Sequence, residues 1–128
     1  MKTKKILIIE DEKIIHNKIK KRLKENKTAD YEILSAYDGV KAINLLEKPK
    51  IDMVLMDLIV PLKDGFEILR EIQKRERFNY IPIVVYTNVD DIEKIYESTR
   101  LGVDYYLIKA DYSDLELVEK LEQIIQKK

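Results

Sequence analysis

The chain has no cysteine, no tryptophan, one histidine, three glycines and three prolines in 128 residues. Without cysteine there is no disulfide framework and no thiolate metal site, which fits a cytoplasmic setting without requiring it. The lone His16 falls on a helical segment among lysines, and a metal centre built on imidazoles needs more than one ligand of that kind. No linker, repeat or low-complexity segment interrupts the chain. Nor is there an excess of one charge: 24 Lys and Arg balance 24 Asp and Glu, so bulk attraction to nucleic acid or to an anionic membrane is not expected. Long apolar runs are missing too. The basic start Met1-Lys2-Thr3-Lys4-Lys5 leads into Ile6-Leu7-Ile8-Ile9, which stops at Glu10, too short for a signal core or a bilayer span.

What the chain does have is 45% hydrophobic residues, enough for one core, and its length suits a single domain over residues 1–128. Short β-branched runs alternate with longer segments of helical period, the pattern of repeated βα units around a parallel sheet. Strands are expected over residues 4–9, 31–36, 51–57, 81–86 and 104–108. The first helix runs from Glu12 into Lys24 and buries Ile15, Ile19 and Leu23. Asp38 caps the second, which buries Val40, Ile43 and Leu46 or their neighbours before Pro49. Asp64-Gly65 opens the third; Asp90 or Asp91 opens the fourth, which closes at Gly102 in the left-handed capping role. Ser113 begins the fifth in a capping-box pattern with Glu116, and either Leu117, Leu121 and Ile124 or Leu115, Val118 and Ile125 cover the sheet. The basic residues Lys18, Lys20, Lys21, Arg22, Lys24 and Lys27, like Arg70, Lys74, Arg75 and Arg77, read as solvated helix faces, since no stacking aromatics are interleaved with them.

Polar residues stand where four of the apolar runs end: Glu10-Asp11, Asp57, Thr87 and Lys109. The carboxyl ends of parallel strands form the ligand crevice of an open α/β sheet, so these groups are expected at one edge. Crowded carboxylates resist ionising unless a hard cation neutralises them, and an ammonium and a hydroxyl beside them suit an incoming phosphoryl group. The residues therefore point to a metal-dependent aspartate phosphoacceptor. Taken singly, Glu10 and Asp11 would be helix caps, Tyr106 a static strand aromatic and Lys109 a loop lysine. Their order and strand-end spacing favour the shared site.

Over essentially its whole length the chain resembles the receiver domain of two-component response regulators. The resemblance is carried by Glu10-Asp11-Glu12, by Asp57-Leu58-Ile59-Val60-Pro61-Leu62-Lys63-Asp64-Gly65, by Thr87, and by Gly102-Val103-Asp104-Tyr105-Tyr106-Leu107 with Lys109. It implies a flavodoxin-like, doubly wound, five-stranded parallel sheet of order 2-1-3-4-5 flanked by five helices. It also implies Mg²⁺ held by Asp11, Asp57, Glu10 through water and the Ile59 carbonyl, with Asp57 as phosphoacceptor, Lys109 and Thr87 as its charge-balancing partners, and Thr87 with Tyr106 as the switch. Such a protein is not an enzyme in the usual sense but assists its own phosphorylation and slow dephosphorylation.

The implied donor is a sensor histidine kinase or histidine phosphotransfer protein. The output is a downstream protein bound by the fourth helix, fifth strand and fifth helix, where Ile95, Tyr96, Tyr105 and Tyr106 offer either a docking patch or buried packing. The chain is expected to act as a monomer, with dimerisation on phosphorylation left open, and as a stand-alone receiver unless it is part of a longer protein.

Departures from the family are also legible. Ala110 follows Lys109 where proline with a cis bond is usual, and a non-proline cis bond costs about 3–4 kcal/mol, so a trans, differently shaped loop is expected. Asn88 replaces a small residue at the donor's entry. Ile59 and Val89, two residues after Asp57 and Thr87, cannot orient an attacking water, which predicts slow self-dephosphorylation. A phosphatase of the haloacid dehalogenase type would need an acid at position 59. The remaining rival is a pseudo-receiver, a phosphorylation-independent protein-binding module.

Overall fold

The computed structural model describes residues 2–26 and 29–127, so Met1 and Lys27 of the segments read above lie outside the described residues. Five strands alternate with five helices: β1 (Thr3–Ile9), α1 (Lys13–Lys24), β2 (Asp30–Ala36), α2 (Gly39–Leu45), β3 (Met53–Met56), α3 (Gly65–Gln73), β4 (Ile83–Thr87), α4 (Ile92–Arg100), β5 (Tyr105–Ile108) and α5 (Asp114–Gln126). Two 3₁₀ turns, Glu76–Tyr80 and Lys109–Asp111, complete the chain order. All pairings are parallel and the strand order is β2-β1-β3-β4-β5. This is the flavodoxin-like, doubly wound order, in which the chain reverses its winding direction beside β1.

Alternation along the strands splits the core in two, as a parallel sheet covered on both faces requires. Leu7, Ile9, Val54, Met56 and Val85 face one layer with Ile68, Leu69 and Ile72 of α3. Ile6, Ile8, Met53, Leu55, Val84 and Leu107 face the other, under Ile19 and Leu23 of α1 and Leu117, Val118, Leu121, Ile124 and Ile125 of α5. Ile6 through Ile9 are wholly buried, and each such aliphatic side chain stabilises the fold by about 1.5–3 kcal/mol.

Helix starts follow local chemistry. Asp38 accepts from Lys41 N–H, Asp91 from Glu93 and Lys94 N–H, and Asp64 with Glu67 and Ser113 with Glu116 form capping boxes. Gly102, at φ 97°, follows α4 in the left-handed conformation. Some of the basic helix residues form ion pairs, Arg22 with Asp114 at 2.7 Å and Arg75 with Glu47 at 2.6 Å.

Four expected core positions differ. The stripe of α1 is His16, Ile19 and Leu23, with Ile15 only half-buried. At α2, Ala42, Leu45 and Leu46 are buried while Ile43 is only half-buried and Val40 is 43% exposed; in α5, Leu115 is 48% exposed. These are positions at the edges of the buried stripes: Ile19 and Leu23 of α1 and Leu117, Val118, Leu121, Ile124 and Ile125 of α5 are buried as expected, and where the sheet lies decides the margin.

Candidate functional site

Register brings the strand ends together. Ile9 pairs with Ala36 on one side and Met56 on the other, Met56 with Val85, and Thr87 with Ile108. The residues that follow, Glu10, Asp57 and Lys109, therefore meet beside Thr87 at one edge. The Asp57 N–H donates to the Ile9 carbonyl at 2.9 Å and Glu10 N–H to the Ala36 carbonyl at 3.0 Å, extending the ladder to the acids themselves.

Asp57 is 6% exposed. Its Oδ1 accepts from the Thr87 hydroxyl at 2.6 Å and from Ile59 N–H at 3.2 Å, and its Oδ2 accepts from Lys109 Nζ at 2.8 Å. The same ammonium lies 2.7 Å from Glu10 Oε1 and 3.5 Å from Glu12 Oε1. Burial pushes the Lys109 ammonium down, but its hydrogen bonds to Asp57 and Glu10 outweigh that, and the group is held above the ordinary lysine range. Burial raises Glu10 despite the opposing hydrogen bonds from Lys109 and Glu12 N–H. The amine thus stays a cation, clamped between two buried acids.

Carboxylate oxygens of Glu10, Glu12 and Asp57 lie within 4.8 Å of one another. Glu12 stands in the sequence as part of the acidic run and the entry to α1 but without a site role; its signal is that it is the third acid of an unbroken run. Asp11 is exposed in the same loop and is not part of that group of oxygens. Glu10 does not cap α1 in the usual way: its carboxylate accepts from Glu12 N–H at 3.1 Å, outside the helix.

Behind Thr87 a hydrogen-bonded path leads away from the site. Val89 N–H donates to Thr87 Oγ1 at 3.3 Å, and the half-buried Tyr106 donates its hydroxyl to the Val89 carbonyl at 2.6 Å. Burial, with Asp57, Asp90 and Asp91 nearby, pushes the Tyr106 hydroxyl up to about 12, so it remains a donor. Around the mouth, Asn88 is exposed, Val89 is half-buried and Ile59 is 62% exposed.

The peptide bond from Lys109 to Ala110 is trans, as are the others described. The loop forms the 3₁₀ turn Lys109–Asp111, and the lysine still reaches Asp57. Beneath the acidic loop sits His16, wholly buried, with Nδ1 2.9 Å from the Glu10 carbonyl, Nε2 2.9 Å from Ser35 Oγ, and its ring stacked on Tyr37 at 4.4 Å.

The asparagine and loop substitutions leave the family likeness intact. A family model described as "Response regulator receiver domain" matches residues 6–122. The probable transcriptional regulator ycf27 of Porphyridium aerugineum is 28% identical over 127 residues, 99% of this chain and 50% of that protein. The chain thus spans half the length of that curated relative. The solved structure of the phosphorylated cyanobacterial phytochrome response regulator RcpA is 29% identical with a TM-score of 0.77, over 98% of this chain and 91% of that one. The receiver domain of a sensor histidine kinase from Pseudomonas aeruginosa, solved with a magnesium ion coordinated in its active site cleft, is 25% identical with a TM-score of 0.79, over 98% and 97%.

Proposed function

The chain belongs to the response regulator receiver family of two-component signalling, and from that premise we propose that Asp57 accepts a phosphoryl group from the phosphohistidine of a sensor histidine kinase or histidine phosphotransfer protein. The observation that carries this reading is the seating of the buried Asp57 carboxylate between the Lys109 ammonium at 2.8 Å and the Thr87 hydroxyl at 2.6 Å. An Asp57 oxygen attacks phosphorus as the P–N bond breaks; the departing imidazole nitrogen keeps the electron pair and takes up a proton. Lys109 and Thr87, already aimed at the carboxylate, donate to the phosphoryl oxygens as charge shifts onto them.

The donor set suits a hard divalent cation, because it is built of crowded carboxylate oxygens. Asp11, Glu10 and Asp57 with the Ile59 carbonyl would hold Mg²⁺, and Glu12 lies close enough to join them. When bound, the ion neutralises the acids and balances phosphoryl charge.

A phosphoryl group adds about −1.5 to −2 charge. That charge draws the Thr87 hydroxyl toward it and so disturbs the path through Val89 to Tyr106. The face of α4, β5 and α5, with Ile92 and Tyr96 exposed on α4, then presents a changed surface to a downstream protein. Residues 1–128 act as one receiver domain in the cytoplasm. Among the described residues no helix is long and apolar enough to cross a membrane.

The experiment is incubation with Mg²⁺ and acetyl phosphate followed by intact mass, beside Asp57→Asn and an EDTA control. A phosphoryl adduct that needs both Mg²⁺ and Asp57 is expected. No adduct, together with no response to beryllofluoride, would overturn the reading and leave a phosphorylation-independent binding module.

A further inference from the structure

The segment that carries Lys109 has few anchors. β5 is an edge strand paired with β4 alone. Beyond Ile108, Ala110 and Asp111 are exposed, and the turn closes through Tyr112 N–H to the Lys109 carbonyl at 3.4 Å, long for such a bond. Ala110 brings no ring to fix the backbone. Yet the ammonium sits within 2.8 Å of both Asp57 and Glu10. A charge at the tip of a flexible four-carbon stem keeps such an aim best when its backbone origin is fixed.

Tyr86 touches that loop at two points. It is 7% exposed, lies on β4 directly before Thr87, and donates its hydroxyl to the Tyr112 carbonyl at 2.7 Å. Lys109 Nζ lies 6.0 Å from the centre of its ring. One side chain thus meets both the exit of the turn and the amine that the turn presents. We infer that Tyr86 is a positioning residue for phosphoryl transfer, its hydroxyl clamping the turn over residues 109–112 so that Lys109 points at Asp57. The inference rests on Asp57 as phosphoacceptor. Packing alone does not account for it: the ring belongs to the core with Val84, Leu107 and Leu117, and phenylalanine would fill that space as well.

Tyr86→Phe keeps the ring and removes the clamp. With saturating Mg²⁺ and acetyl phosphate it is expected to phosphorylate about tenfold more slowly, since small misplacements of a catalytic group cost that much or more. Mg²⁺ affinity by calorimetry should not change, which separates aim from general damage. In a Lys109→Ala background the same substitution should add nothing, because the hydroxyl acts through the lysine. A wild-type rate, or equal slowing in both backgrounds, overturns the inference. Hydrogen exchange at the amides of residues 110–113 reads the clamp without phosphorylation: faster in Tyr86→Phe supports it, unchanged exchange refutes it. If the wild-type protein takes no phosphoryl group, the phosphoacceptor reading fails, and the exchange result still decides whether Tyr86 fixes the turn.

Discussion

Replacing His16 with leucine removes the imidazole from under the acidic loop while keeping most of its volume. A backbone carbonyl can only accept, so Nδ1 must donate to Glu10 and the neutral ring's Nε2 must accept from the Ser35 hydroxyl. Both bonds would be lost, each worth about 1 kcal/mol net, and the stack on Tyr37 would lose about 0.5–1.5 kcal/mol more. The expected loss of stability is about 3 kcal/mol by these same increments. Urea unfolding in EDTA measures it, as a lowered midpoint with an unchanged slope.

The pH dependence supplies a second arm. Burial holds the His16 pKa below its ordinary 6.5, against the hydrogen bond to Glu10, so the unfolded chain binds a proton that the folded chain resists. Its contribution to stability is full above 6.5 and declines as pH falls below that value. The leucine variant has no such group, so the gap between the two proteins should narrow on acidification. A loss under about 0.5 kcal/mol, the range of neutral surface changes, or a gap that widens below the histidine value, would refute the reasoning.

Other expectations follow from single observations. The Tyr31 hydroxyl is buried with no partner among the described residues, so Tyr31→Phe should raise stability by about 1 kcal/mol; calorimetric melting reads this, and a lower Tm would contradict it. A Cβ at Gly65 would stand 2.5 Å from Leu58 Cα. Gly65→Ala should therefore destabilise by about 1–3 kcal/mol through overpacking and slow phosphorylation by shifting the residue next to Asp57, read by urea titration and by acetyl phosphate rates. With Ile59 and Val89 unable to orient water, phosphorylated protein freed of donor by rapid desalting should keep its adduct well beyond seconds; decay within seconds would sink that expectation.

Much of this protein is written locally. Strands such as Ile6-Leu7-Ile8-Ile9 and the caps Asp38, Asp91 and Ser113 were legible, because period and capping depend on neighbours a few residues away. The ordered acids, Thr87 and Lys109 were legible too, because strand ends of a parallel sheet share one edge. Other features were not. His16, read as one helix residue among lysines, is wholly buried because Ser35 of β2 and Tyr37 just beyond that strand lie against it. The exposure of Val40 and Leu115 depends on how each helix is turned over the sheet. Glu12 joining the acids, Lys109 gripping Glu10 as well as Asp57, and Tyr86 reaching Tyr112 are contacts between elements distant in sequence. Sequence alone determined the elements, their order and the chemistry at their ends. Tertiary structure decided which polar atoms are buried together, because desolvation and hydrogen-bond partners exist only once the strands have paired and the helices have closed over them.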